Sequence, residues 1–123
     1  MAQTILIVED LPDVRATIVE MLKRGGYEVL EAANGREALK LLDQKTPTLI
    51  LTDIIMPEMD GLEIIRKLTE LKPNLPIVVF TAAANATYLR VAMKFGAVYG
   101  LHKPFSQAEL LTTLQKALSK SRQ

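Results

Sequence analysis

At 123 residues and a formal net charge of +1, the chain has the size of one domain, 1–123, with a core large enough to need no staples. It has no cysteine, which excludes disulfides and thiolate metal sites, and no tryptophan and few aromatics, which with scattered charge argues against a nucleic-acid surface. Its apolar runs are too short to span a bilayer and its start lacks a basic-then-apolar signal pattern, so no membrane partner and a cytoplasmic location are expected.

The first apolar run is Ile5-Leu6-Ile7-Val8, and it leads straight into Glu9-Asp10. A helix is predicted from Pro12 to Arg24, with Val14, Ile18, Met21 and Leu22 as its apolar stripe and Gly25-Gly26 as its stop. A second strand, Tyr27 to Ala32, carries Glu28 and Glu31 and reads as less buried. Asn34 and Glu37 then form the start signal of a second helix. The third run, Leu49-Ile50-Leu51-Thr52, leads into Asp53. Asp60 with Glu63 opens a third helix, packed on Ile64, Ile65 and Leu68. The fourth run, Ile77-Val78-Val79-Phe80, leads into Thr81. A fourth helix follows, expected to pack on Tyr88, Val91, Ala92 and Phe95 and to end at Gly96. The fifth run, Val98-Tyr99-Gly100-Leu101, leads into Lys103-Pro104. Ser106 with Glu109 then opens a last helix on Leu110, Leu111, Leu114 and Leu118.

Strict alternation of strands and helices predicts an α/β fold, a doubly wound parallel sheet with helices on both faces. Strands covered on both faces read as continuous apolar runs, and runs one, three and four meet that test best. Strands two and five therefore belong at the edges, in the order 2-1-3-4-5. The switch point lies between strands one and three, and ligands bind outside the carboxyl ends of strands there. Glu9, Asp10 and Asp53 share that crevice, with Thr81 and Lys103 on the same sheet edge. Three carboxylates in one crevice repel one another unless a cation joins them, and oxygen-only ligands select a hard ion such as Mg²⁺. Lys103 offers a compact ammonium to a phosphoryl oxygen. His102, the single histidine, alternates away from Lys103 in a regular strand and is read as outside the site.

From Thr4 to about Leu118 the chain resembles the receiver domain of two-component response regulators. The resemblance rests on Val8-Glu9-Asp10, on Asp53-Ile54-Ile55-Met56-Pro57-Glu58-Met59-Asp60-Gly61, on Thr81-Ala82 and on Lys103-Pro104-Phe105. It implies a flavodoxin-like (βα)5 sandwich and transfer of a phosphoryl group from a histidine kinase or a histidine phosphotransfer protein. Asp53 would be the phosphoacceptor. Asp10, Asp53 and the backbone carbonyl of Ile55 would ligate Mg²⁺, with Glu9 acting through bound water. Thr81 and Lys103 would hold phosphoryl oxygens, and a cis bond before Pro104 would aim the lysine. No turnover of an independent substrate is expected, only self-phosphorylation and slow dephosphorylation. The downstream partner would be a protein reading the surface of helix four, strand five and helix five, on a monomer or a phosphorylation-dependent dimer. Met1 directly before the first strand favours a receiver standing alone over a piece of a longer regulator.

Two departures from the family stand out. Its switch aromatic lies three residues before the lysine, where this chain has Gly100; Tyr99 comes one residue earlier, a shift that reverses the face in a regular strand. Either a bulge at Gly100 re-aims Tyr99, or the signal travels through the loop after strand four. Ile55 and Ala83, two residues past Asp53 and Thr81, carry no side-chain group to orient water, so self-dephosphorylation should be slow. Ile55 also counts against a phosphohydrolase of the haloacid-dehalogenase kind, which needs a second carboxylate there. Glu9-Asp10-Leu11-Pro12-Asp13 counts against a flavin module, because it would repel the flavin phosphate.

Overall fold

The continuous apolar runs become the middle of a parallel sheet. A computed structural model describes residues 3–54, 61–82 and 86–121. Its strands are β1 (Thr4–Val8), β2 (Glu28–Ala32), β3 (Leu49–Asp53), β4 (Ile77–Ala82) and β5 (Tyr99–Lys103). They lie in the order β2-β1-β3-β4-β5, all parallel, as the distribution of apolar and charged residues predicts. Between and after them run α1 (Pro12–Arg24), α2 (Gly35–Gln44), α3 (Gly61–Leu71), α4 (Ala86–Phe95) and α5 (Gln107–Ser121).

The period of two in each strand sends alternate side chains to opposite faces and so makes two cores. Leu6, Val8, Ile50, Ile77 and Val79 pack against α2, α3 and α4. Ile5, Ile7, Leu49, Leu51, Val78, Phe80 and Leu101 pack against α1 and α5. Each fully buried side chain of this size contributes roughly 1.5–3 kcal/mol, and this burial fixes the register of every strand.

Helix starts follow the predicted chemistry with one shift. At α5 the Glu109 N–H donates to Ser106 Oγ (3.0 Å) and the Ser106 N–H to Glu109 Oε1 (3.2 Å), a reciprocal capping box. At α2 the Glu37 N–H donates to Asn34 Oδ1 (2.9 Å), but Glu37 Oε1 accepts from Ala33, one residue before the cap (3.1 Å). Asp60 lies outside the described residues. At the end of α1, Gly25 is right-handed and it is Gly26, at φ 91°, that takes the left-handed turn.

The fourth helix differs from expectation in phase. Leu89 and Ala92 are its buried residues, Phe95 packs at the margin, and Tyr88 is 43% exposed. Both stripes have helical spacing. The choice falls to Leu89, whose methyls lie where a Gly100 side chain would begin, while Tyr88 stays at the surface. In α1, Val19 joins Ile18 and Leu22 in the core, and Val14 and Met21 only flank it.

Candidate functional site

Sheet parity decides which side chains meet. Glu9 continues the alternation of Ile5 and Ile7, Asp53 that of Leu49 and Leu51, and Lys103 that of Tyr99 and Leu101. All three therefore fall on the α1/α5 side at the carboxyl edge of the sheet. Asp53 pairs in register with Phe80 of β4, which fills the floor between β3 and β5. Lys103 Nζ stands 4.9 Å from the centre of the Phe80 ring, and Phe105 meets that ring edge-on at 6.1 Å.

Lys103 joins the two acids. Its ammonium donates to Glu9 Oε1 at 3.0 Å and to Asp53 Oδ2 at 3.3 Å, across 94 and 50 residues of sequence. Glu9 is fully buried and Asp53 is 7% exposed. Asp10 completes the set: one carboxylate oxygen from each of Glu9, Asp10 and Asp53 lies within 4.8 Å of the others. The Asp10 N–H donates to Glu9 Oε2 (3.1 Å), so the first acid is held by the backbone of the second. Three hard oxygen donors at this spacing fit a divalent ion of the Mg²⁺ type.

Burial sets the electrostatics. Loss of water raises the Glu9 carboxyl to about 7; the Lys103 ammonium pulls it down, and the neighbouring Asp53 pushes it up again. Burial by itself would lower the Lys103 ammonium, but Glu9 and Asp53 outweigh it and hold its pKa above the ordinary lysine value. The lysine offsets part of the negative charge of the two acids it bridges.

Of the other residues singled out by sequence, Thr81 is buried at the end of β4, opposite His102 of β5, one residue past the partner of Asp53. It is thus one step out of phase with Phe80 and, being neutral, no part of the ion-pair set. His102 is exposed, on the face opposite Lys103, as alternation requires. The Lys103–Pro104 peptide is cis. Ile55, with the segment through Asp60, and Ala83 lie outside the described residues. β5 keeps its register with β4 from Tyr99 to Lys103, so there is no bulge at Gly100 and the re-aiming of Tyr99 is not met. Tyr99 packs on the α1/α5 side, and Gly100 faces α4. Sequence reasoning passed over Arg15, whose guanidinium donates to the Glu9 carbonyl at 2.7 Å. A single arginine on a half-exposed helix carries no sequence signal for that contact.

Residues 5–115 match the model of the response regulator receiver domain. The chain belongs to this family. The receiver is 31% identical over 118 residues to sporulation initiation phosphotransferase F of Bacillus subtilis, covering 96% of this chain and 95% of that one. It is 34% identical over 117 residues to the chemotaxis protein CheY of Thermotoga maritima, covering 94% of this chain and 98% of that one. Its fold superposes on NtrX of Brucella abortus with a TM-score of 0.95 at 29% identity, covering 99% of this chain; the receiver spans only 28% of NtrX. Among the described residues, no helix of the receiver is long and apolar enough to cross a membrane.

Proposed function

We propose that this chain, as one receiver domain over residues 1–123, takes a phosphoryl group from a histidine kinase or a histidine phosphotransfer protein onto Asp53. The observation that carries the reading is the Lys103 ammonium set between Glu9 and Asp53, with Asp10 alongside. A carboxylate oxygen of Asp53 attacks phosphorus, the bond from phosphorus to the donor's imidazole nitrogen breaks, and an acyl phosphate forms. Glu9, Asp10 and Asp53, with the Ile55 carbonyl, would hold Mg²⁺. When bound, the ion supplies charge neutralisation for the phosphoryl oxygens.

The chain's own groups do the rest. Lys103 exchanges its contact with Asp53 for one with a phosphoryl oxygen and keeps a cation beside the acyl phosphate. The buried hydroxyl of Thr81 is the donor for a second phosphoryl oxygen. Phe80 and Phe105 wall the lysine from one side and limit where its ammonium can go. The product is a switch on protein contacts, read on the face of α4, β5 and α5, with no independent substrate turned over.

The test is incubation with Mg²⁺ and acetyl phosphate or a phosphorylated kinase, followed by intact mass. The wild type gains one phosphoryl group and Asp53→Asn gains none. A phosphoryl group retained by Asp53→Asn, or none on the wild type with either donor, removes the reading.

A further inference from the structure

Arg15 reaches back from the first turn of α1 and touches the acidic loop without being one of its acids. Its Nη1 donates to the Glu9 carbonyl at 2.7 Å, and its Nε donates to Glu31 Oε1 of β2 at 3.2 Å. The Arg15 N–H in turn donates to the Leu11 carbonyl at 2.9 Å, so its own backbone is fixed by the first turn of the helix. The arginine side chain is 19% exposed and Glu31 is 51% exposed, which makes the carbonyl bond the sheltered one.

The carbonyl that Arg15 holds belongs to the peptide unit between Glu9 and Asp10. That unit is planar, and its N–H points opposite to its carbonyl. The N–H is the Asp10 amide, and it donates to Glu9 Oε2 at 3.1 Å. Glu9 also leaves β1 with its own N–H tied to the Ala32 carbonyl at 3.0 Å. One end of the acidic loop is thus set by the sheet. The next peptide plane carries the Arg15 bond on its carbonyl and the bond to Glu9 Oε2 on its N–H.

We propose that Arg15 is a positioning residue for the carboxylate site: by gripping the Glu9 carbonyl it locks the Glu9–Asp10 peptide plane and thereby presents both acids to a divalent cation. This rests on the reading of the acidic cluster as a cation site. The arginine brings its own positive charge close to that site. Coulomb's law alone then says that removing it should tighten cation binding. Positioning says the reverse, because supporting groups outside a metal's direct ligands typically alter affinity by 10–100-fold. The two effects have opposite signs, and a measurement separates them.

The experiment uses the whole chain and Mg²⁺ itself, by calorimetric titration at pH 8, with hydrogen exchange of the Asp10 amide in the metal-free protein as a second readout. Arg15→Met keeps the aliphatic stem and removes every donor. It should weaken Mg²⁺ binding on the order of tenfold and speed Asp10 exchange, with thermal unfolding in the absence of Mg²⁺ changed little. Arg15→Lys, which restores one donor, should recover part of both. Glu31→Gln loosens only the exposed anchor and should stay close to wild type. Mg²⁺ affinity equal to or tighter than wild type in Arg15→Met, or an unchanged Asp10 exchange rate, overturns the proposal. If wild type itself binds no Mg²⁺, the cation-site reading falls and this proposal with it. If wild type binds and Arg15→Met binds equally well, the positioning role alone falls.

Discussion

Glu9 shows how one buried carboxyl ties stability to the proposed chemistry. Its ordinary value is 4.5, and burial carries it to about 7 in the folded chain. Between those values the folded protein holds a proton that the unfolded chain has released. The resulting stabilisation is complete below 4.5 and is lost as pH rises through 7. It is on the order of 3 kcal/mol across that window. Urea unfolding without divalent ions should therefore show a Glu9 contribution that falls from pH 5 to pH 8. The stability difference between wild type and Glu9→Gln should change over that interval; a constant difference refutes the assignment. Mg²⁺ needs the ionised form, so its affinity should drop as pH falls below 7. The acids and the lysine were legible in the sequence because each stands within two residues of the end of an apolar run. Arg15 was not, since its meeting with the Glu9 carbonyl depends on the phase of α1 and on β2 lying beside β1.

Among the elements, α4 was the least legible. Two overlapping stripes, one through Tyr88 and one through Leu89, both satisfy a period of 3.6, and only the neighbours decide between them. Those neighbours are Gly100 below and α3 alongside. At its end, α4 closes on Gly96, at φ 127°, where a Cβ would stand 2.3 Å from Thr69 Oγ1. That hydroxyl bonds the Ile65 carbonyl at 2.8 Å and lies 3.2 Å from the Phe95 carbonyl, so α3 caps the last turn of α4. Gly26, at φ 91°, has open space where a side chain would go. The two positions share a left-handed backbone and differ only in what surrounds it. Gly26→Ala should cost about 1 kcal/mol, the backbone penalty alone. Gly96→Ala adds overpacking and the loss of the Thr69 contact, about 2–4 kcal/mol in total. Chemical denaturation of the pair checks this, and equal losses would show that the packing of α3 on α4 matters little. The capping box of α5 and the Asn34 cap of α2, by contrast, were readable because they need only local sequence.

For the molecule as a whole, the question is how the phosphorylation proposed at Asp53 would reach the outer surface. In the sequence, the displaced aromatic left two routes open, a bulge at Gly100 or movement after β4. β5 is regular from Tyr99 to Lys103, so Tyr99 stays on the α1/α5 side with Lys103 and Leu101. On the other side, Leu89 Cδ2 comes within 3.1 Å of where a Gly100 side chain would begin. The space that an aromatic at residue 100 would need is thus lined by a leucine of α4. A pull on Thr81 acts on the end of β4, and the chain from there leads within a few residues into α4. We therefore expect α4, seated by Leu89 over Gly100, to be the moving part, with Tyr99 a fixed one. An acyl-phosphate mimic such as beryllofluoride, added with Mg²⁺, should shift the NMR amide signals of α4 and leave the Tyr99 ring signals close to their free values. Leu89→Ala should move the α4 signals part of the way without the mimic, because it removes the contact that seats the helix. If the Tyr99 ring instead moves while the α4 amides stay in place, the route through β4 and α4 is wrong, and the strand would have to change register to carry the signal.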